Sequence, residues 1–157
     1  MSAYRSCLSR QVRRRVMMIG VSPISQLVDR YPVETQTGNL GSVLTQLTEF
    51  PWQKSHWQKG EAGLTYLSLQ EIAKADPAIL FIQSYSQDAL LPKLKIDPNW
   101  QRLRAVRTGS VYEVEPYWHW GNGTHLIRLM LDRLLPLIYP ERISAAASTA
   151  MNGPSRA

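Results

Sequence analysis

Cysteine occurs once in the 157 residues, at Cys7, which excludes an intramolecular disulfide framework and any site built from several thiolates. No apolar run approaches the roughly 20 residues that a bilayer-spanning helix requires. The chain also lacks a Gly-x-x-x-x-Gly-Lys phosphate loop, a dinucleotide-type glycine fingerprint, a Gly-x-Ser-x-Gly elbow and a His-Glu-x-x-His helix. The common enzyme templates therefore fail, and a small flavin- or nucleotide-dependent α/β enzyme has no phosphate cradle to rest on. His56, His119 and His125 do not have zinc-ligand spacing, except that the last two lie six apart across two glycines, and the expectation is that they are structural or solvent-facing. No resident metal or cofactor is expected.

Acidic residues are missing from the start of the chain, where Arg5, Arg10, Arg13, Arg14 and Arg15 supply five of the six net positive charges. From Val16 onward there are 13 basic and 12 acidic residues, so the balance of the body gives no reason to expect a nucleic-acid partner. The arginine-rich arm could touch an anionic membrane or RNA, but residues 1–14 are read as a loose, solvated leader. The Ser/Ala-rich 142–157 is read as a disordered tail. The short apolar run Val16 to Val21 ends in Ser22-Pro23 and reads as a buried strand rather than an export signal, which places the protein in the cytoplasm if the sequence is complete as given.

At 44% apolar over 157 residues, the chain can bury one core, which is expected within 15–141. Val16 to Ile19 and Ala78 to Ile82 are continuous apolar runs, as in strands buried on both faces. Leu27 to Pro32 reads as irregular, Leu40 to Thr48 as a helix with apolar residues at helical spacing, and Phe50 to Thr65 as a long loop. Ser68 offers an N-cap to a helix over Leu69 to Ala75, which Asp76-Pro77 ends. A polar loop, Gln83 to Gln87, precedes the apolar-periodic 89–94, and Asp97-Pro98-Asn99-Trp100 opens another short helix. Ala105-Val106 and Val111 to Val114 read as extended segments around a Thr108-Gly109-Ser110 turn. Thr124 is expected to cap a last helix that Pro136 and Pro140 close. The fold class is α/β: one Rossmann-like lobe with a small, mostly parallel sheet flanked by helices, whose polar loops lie where such sheets bind ligands.

The segment Tyr117-Trp118-His119-Trp120-Gly121 stands out, because large aromatics are costly in water unless they pack or bind. If it is extended, Trp118 and Trp120 point the same way. Two readings follow: the indoles cover the edge of the core, or they wall a bulky, partly apolar ligand.

Several ordered pieces then bear on the choice: Leu67 to Ala73, Ala75 to Phe81, Asp97 to Leu103, Ala105 to Tyr112, and Leu131 to Leu135 with Tyr139-Pro140. In this order and spacing the chain resembles the C-terminal lobe of the iron-siderophore class of ABC-transporter solute-binding proteins. The resemblance implies half of a two-lobed, class III periplasmic-binding-protein clamshell, with a ferric siderophore or similar chelate held between lobes. It implies a non-enzymatic role in uptake, a periplasmic location, an ABC permease at the inner membrane as partner, and an N-terminal lobe that this sequence does not contain.

Carried over residue by residue, the resemblance puts Trp118 and Trp120 against the ligand, with Ser84, Tyr85 and Tyr66 as further cleft residues. The permease-facing carboxylate of the family falls on Gln70, with Glu71 beside it. Because the siderophore already satisfies its iron, no protein ligand to the metal is implied. A truncated cytoplasmic remnant or interaction module without transport activity is the alternative reading. A lone lobe that exposes its cleft face is expected to self-associate.

Overall fold

The computed structural model describes residues 12–20, 30–49, 63–83, 90–114 and 123–141. The chain divides into two compact units, Met1–Gly121 and Asn122–Ala157. The first contains a five-stranded sheet built from β1 (Val16–Ile19), β2 (Tyr31–Glu34), β3 (Leu64–Leu67), β4 (Ile79–Gln83) and β5 (Val111–Val114), in the spatial order β3-β2-β1-β4-β5. Among its described residues are the helices α1 (Asn39–Leu44), α2 (Leu69–Ala75), α3 (Leu90–Lys95) and α4 (Arg104–Arg107).

The two continuous apolar runs become the central strands. Every residue of β1 and β4 is buried, and the two pair in parallel from Val16 opposite Ile79 to Ile19 opposite Ile82. β4 pairs in parallel with β5, and Phe81 and Tyr112 stack across that pair with ring centres 5.9 Å apart.

The other half of the sheet departs from the sequence reading. β1 pairs antiparallel with β2, and β2 with β3, so two of the four pairings are parallel and the sheet is mixed. Both β2 and β3 fall in stretches read as irregular or loop. Each is only four residues long, and β2 contains a proline, which normally argues against an interior strand. The register removes the objection. The Pro32 carbonyl accepts a bond from the Gly20 N–H at 2.9 Å, and the donor that Pro32 lacks faces the same side, just where the short β1–β2 ladder stops.

Smaller differences have local causes. Ala105-Val106 lies in helix α4, closed by i→i−4 bonds from Arg107 to Leu103 and from Thr108 to Arg104, rather than in an extended segment. The helix read over 40–48 is regular only to Leu44, after which turns continue to Thr48, whose hydroxyl donates to the Leu44 carbonyl at 2.8 Å. The segment opened by Asp97-Pro98 is a 3-10 turn over Trp100–Arg102, anchored by the fully buried Trp100.

In the second unit, α5 (Thr124–Ile138) starts one residue after Gly123, which takes the cap position, so Thr124 is the first helical residue and not the cap. Pro136 lies inside this helix instead of ending it. Near a C-terminus it forfeits one bond, and the next turn still closes through the Tyr139 N–H on the Leu135 carbonyl at 2.7 Å. Met130, Leu131, Leu134, Leu135 and Ile138 form its buried stripe.

The start of α2 is as read. Ser68 Oγ accepts from the Glu71 N–H at 3.2 Å while Glu71 Oε2 accepts from the Ser68 N–H at 2.8 Å, a reciprocal capping box. Ser68→Ala is expected to cost about 1 kcal/mol in urea unfolding. Glu71→Ala should cost more, since it also strands Arg30, and equal effects would show that the Arg30 contact contributes nothing.

Candidate functional site

Strand direction brings one set of chain positions to a single edge. β3, β1, β4 and β5 all point the same way, and only β2 runs against them. The register then aligns Tyr66 with Pro32, Pro32 with Gly20, and Gln83 with Val114 along the carboxyl edge of the sheet. From β1 the chain moves one way, to β2 and β3, then crosses to β4 and β5 on the other side. The reversal lies between β1 and β4, and open α/β sheets bind ligands in the crevice outside the strand ends at such a point.

Gly20 and Gln83 flank that switch point. Gln83 is a buried polar side chain on a strand otherwise wholly apolar, and a Cβ on Gly20 would sit 3.3 Å from its Oε1. The absence of a side chain at Gly20 leaves this amide its room.

Ser84 and Tyr85 follow Gln83 directly, and Trp118 and Trp120 come four and six residues after Val114. All four lie outside the described residues. Because Gln83 and Val114 are paired neighbours, the chain enters both segments from adjacent points on this edge. Tyr66 is on the same edge, half-buried in β3. Three strand spacings separate β3 from β4, about 14 Å, so Tyr66 marks the outer flank of the edge rather than the switch point.

That flank carries a cation that sequence reading missed. Arg30, immediately before β2, donates through Nη2 to both Glu71 carboxylate oxygens at 3.1 and 3.0 Å and through Nη1 to the Tyr66 carbonyl at 3.3 Å. The Ser68 N–H, followed by the Ser68 hydroxyl and the charges of Arg30 and Lys74, holds the Glu71 carboxyl below its ordinary value. Glu71 is thus committed to its helix cap and to Arg30, whereas Gln70, next to it in the first turn of α2, is exposed. The Ser-x-x-Glu pattern announces the capping box; the Arg30 partner, 41 residues away, has no local signal.

A second carboxylate sits in the interior. Glu34, the last residue of β2, is 2% exposed, and its Oε1 accepts the backbone N–H groups of Leu40 and Gly41 at 2.6 and 2.9 Å, while Oε2 has no partner. Burial pushes its pKa up from 4.5 to about 7, against the two amide bonds that favour the charged form. Among the described residues no group of three or more His, Cys, Asp or Glu side chains could hold a metal ion, and no helix is long and apolar enough to cross a membrane.

No family model matches the chain. Over 61 residues, 39% of this chain and 19% of the relative, it is 33% identical to the Fe(3+)-citrate-binding protein YfmC of Bacillus subtilis (strain 168). Among solved structures it is similar to an ABC transporter substrate-binding protein from Listeria monocytogenes EGD-e, with TM-score 0.66, 14% identity, and coverage of 88% of this chain and 52% of the other. It is also similar to a FhuD fold-family periplasmic binding protein, a component of a Fep/Fec-like ferrichrome ABC transporter from Bacillus subtilis, with TM-score 0.67, 15% identity, and coverage of 87% and 50%. A third is the siderophore periplasmic binding protein from the fuscachelin gene cluster of Thermobifida fusca, with TM-score 0.62, 19% identity, and coverage of 87% and 47%.

The chain spans about half the length of these solved structures, and its fold is that of a single α/β lobe of the FhuD type. These relatives are binding proteins, not enzymes.

Proposed function

We propose that this chain is the C-terminal lobe of a solute-binding protein that delivers an iron(III)-siderophore or ferric citrate chelate to an ABC permease. The observation that carries the reading is the carboxyl edge. The strand order puts a switch point at Gly20 and Gln83, and the segments that carry Ser84, Tyr85, Trp118 and Trp120 leave from that edge. In this reading Trp118 and Trp120 offer indole faces to the chelator, Ser84 and Tyr85 offer hydroxyls to its oxygens, and Tyr66 borders the outer flank. An opposing lobe completes the cleft and closes over the ligand. Gln70 and its helix turn face the permease, with Glu71 already paired to Arg30. The working location is extracytoplasmic, at the inner membrane.

A single lobe supplies one wall of the cleft, so the chain as given is expected to bind weakly. Tryptophan fluorescence titrated with ferrichrome, a ferric catecholate and ferric citrate should show quenching only above micromolar concentrations. Trp118→Ala and Trp120→Ala should each weaken it by about tenfold, as loss of an aromatic contact does. Submicromolar affinity would overturn the half-site reading, and equal affinity in both variants would overturn the assignment of the indoles.

A further inference from the structure

Charge on the first unit gathers at the end of the sheet opposite the crevice. β1, β4 and β5 start side by side: Val16 pairs with Ile79 and Leu80 with Val111. Arg13, Arg14 and Arg15 lead into β1, and α4 with its following turn leads into β5. Arg14 and Arg15 are tied to the sheet through their backbone carbonyls. The Arg14 carbonyl accepts from the Glu49 N–H at 2.9 Å, the Val16 N–H donates to the Glu49 carbonyl at 3.0 Å, and the Arg15 carbonyl accepts from Ala78 and Ile79 at 2.9 and 3.2 Å. Since the Leu80 N–H donates to the Ser110 carbonyl at 3.0 Å, Arg15 and the turn after α4 stand about two strand spacings apart, roughly 10 Å.

The chain between β4 and β5 must return from the carboxyl edge to this amino edge, and α3, the 3-10 turn and α4 make the return. From 90 to 107 this limb carries Lys93, Lys95, Arg102, Arg104 and Arg107 against the single acid Asp97, and Lys74 is exposed at the end of α2. Among the described residues two carboxylates pair with arginines of this edge: Glu49 lies 3.6 Å from Arg15 and Asp76 lies 3.3 Å from Arg104. Arg13, Arg102 and Arg107 are exposed and make no ion pair with a described acidic residue.

Two further observations narrow the partner. Among the described residues the exposed large apolar side chains are Val12, 87% exposed and next to Arg13, and Ile96, 85% exposed and next to Lys95. Among the described residues the Phe, Tyr and Trp side chains are all buried or half-buried, so none of these offers bases a platform. Guanidinium groups interspersed with small apolar side chains suit phosphate headgroups above a hydrocarbon layer better than a nucleic acid.

We propose that the amino edge of the sheet, with Arg13, Arg14 and Arg15 on one side and Arg102, Arg104 and Arg107 on the other, is a docking surface for anionic phospholipid headgroups. It lies at the other end of the strands from the chelate crevice, so both can be occupied at once, and it does not depend on the chelate assignment.

The test is sedimentation of the full chain with phosphatidylcholine vesicles containing about 30 mol% phosphatidylglycerol, where each basic residue near such a surface contributes on the order of a fivefold gain in affinity. Binding is expected with these vesicles, not with pure phosphatidylcholine, and should vanish at about 0.5 M salt. The combined variant Arg13→Gln, Arg102→Gln, Arg107→Gln leaves both ion pairs in place and should weaken vesicle binding about a hundredfold with an unchanged circular dichroism spectrum. Val12→Asp with Ile96→Asp should weaken it by a smaller factor. Failure of the parent chain to bind, undiminished binding by the triple variant, or tighter binding to a single-stranded RNA oligomer than to vesicles would each overturn the proposal.

Discussion

Replacing Gly41 with alanine is expected to destabilise the first unit by several kcal/mol, or to prevent folding. In an open helix the same change stabilises by about 0.5–1 kcal/mol, because alanine loses less backbone entropy than glycine. Here a Cβ would overlap the Thr35 carbonyl oxygen, which is backbone and cannot rotate away. That oxygen already accepts from the Gly38 N–H at 3.0 Å, and the Thr35 N–H donates to the Gly63 carbonyl at 2.8 Å. Moving Thr35 therefore disturbs the β2–β3 end of the sheet together with the entry to α1, and overpacking of this kind costs about 1–3 kcal/mol before the lost hydrogen bonds are counted. Urea unfolding followed by far-UV circular dichroism reads the sign directly. A neutral or stabilising effect would show that the Thr35–Gly41 contact relaxes freely.

The second large effect is a pH dependence set by Glu34. Its carboxyl has a folded-state pKa raised from 4.5 to about 7 by burial, so the folded state prefers the neutral acid. Below the unfolded value both states are protonated and the group costs nothing. As pH rises from 4.5 to about 7 the unfolded chain releases its proton first and stability falls; above about 7 both states are ionised and the loss is complete. At about 1.4 kcal/mol per pH unit, the elevation corresponds to a loss on the order of 3 kcal/mol across that window.

Glu34→Gln keeps an acceptor for the Leu40 and Gly41 amides and removes the charge, so its stability should be nearly flat over the same pH range and should match or exceed the parent at pH 8. Glu34→Ala leaves both amides without their acceptor and opens a cavity, and should lose about 2–4 kcal/mol below pH 4.5, a deficit that shrinks toward pH 7 as the parent's own stability falls. Denaturant midpoints at a series of pH values distinguish these outcomes; an equal slope in Glu34→Gln and the parent would assign the pH dependence elsewhere.

Both effects arise in the same short stretch, 31–41, which is where sequence reading failed. Tyr31-Pro32-Val33-Glu34 has neither the length nor the pattern of a strand, and its proline and glutamate argue against burial. It is interior because β1 and β3 supply partners from distant parts of the chain, and Glu34 is tolerated because two amides converge on it. By contrast, Val16 to Ile19 and Ile79 to Ile82 were legible as they stand, since an unbroken apolar run in a small domain has nowhere to go but the centre of a sheet covered on both faces. The capping box at Ser68 was equally legible, being closed within four residues.

The same division governs the functional surfaces. The α/β class, the two central strands, the absence of common enzyme motifs, and the aromatic and hydroxyl clusters after β4 and β5 are all legible along the chain, because each depends on residues near one another in it. That Gly20 and Gln83 meet at one switch point, that Arg30 reaches Glu71, and that Arg15 and Arg107 share the opposite edge emerge in the folded chain alone. Those facts follow from strand order and register, which are set by where the buried faces meet in space, and no local pattern of residues records that meeting.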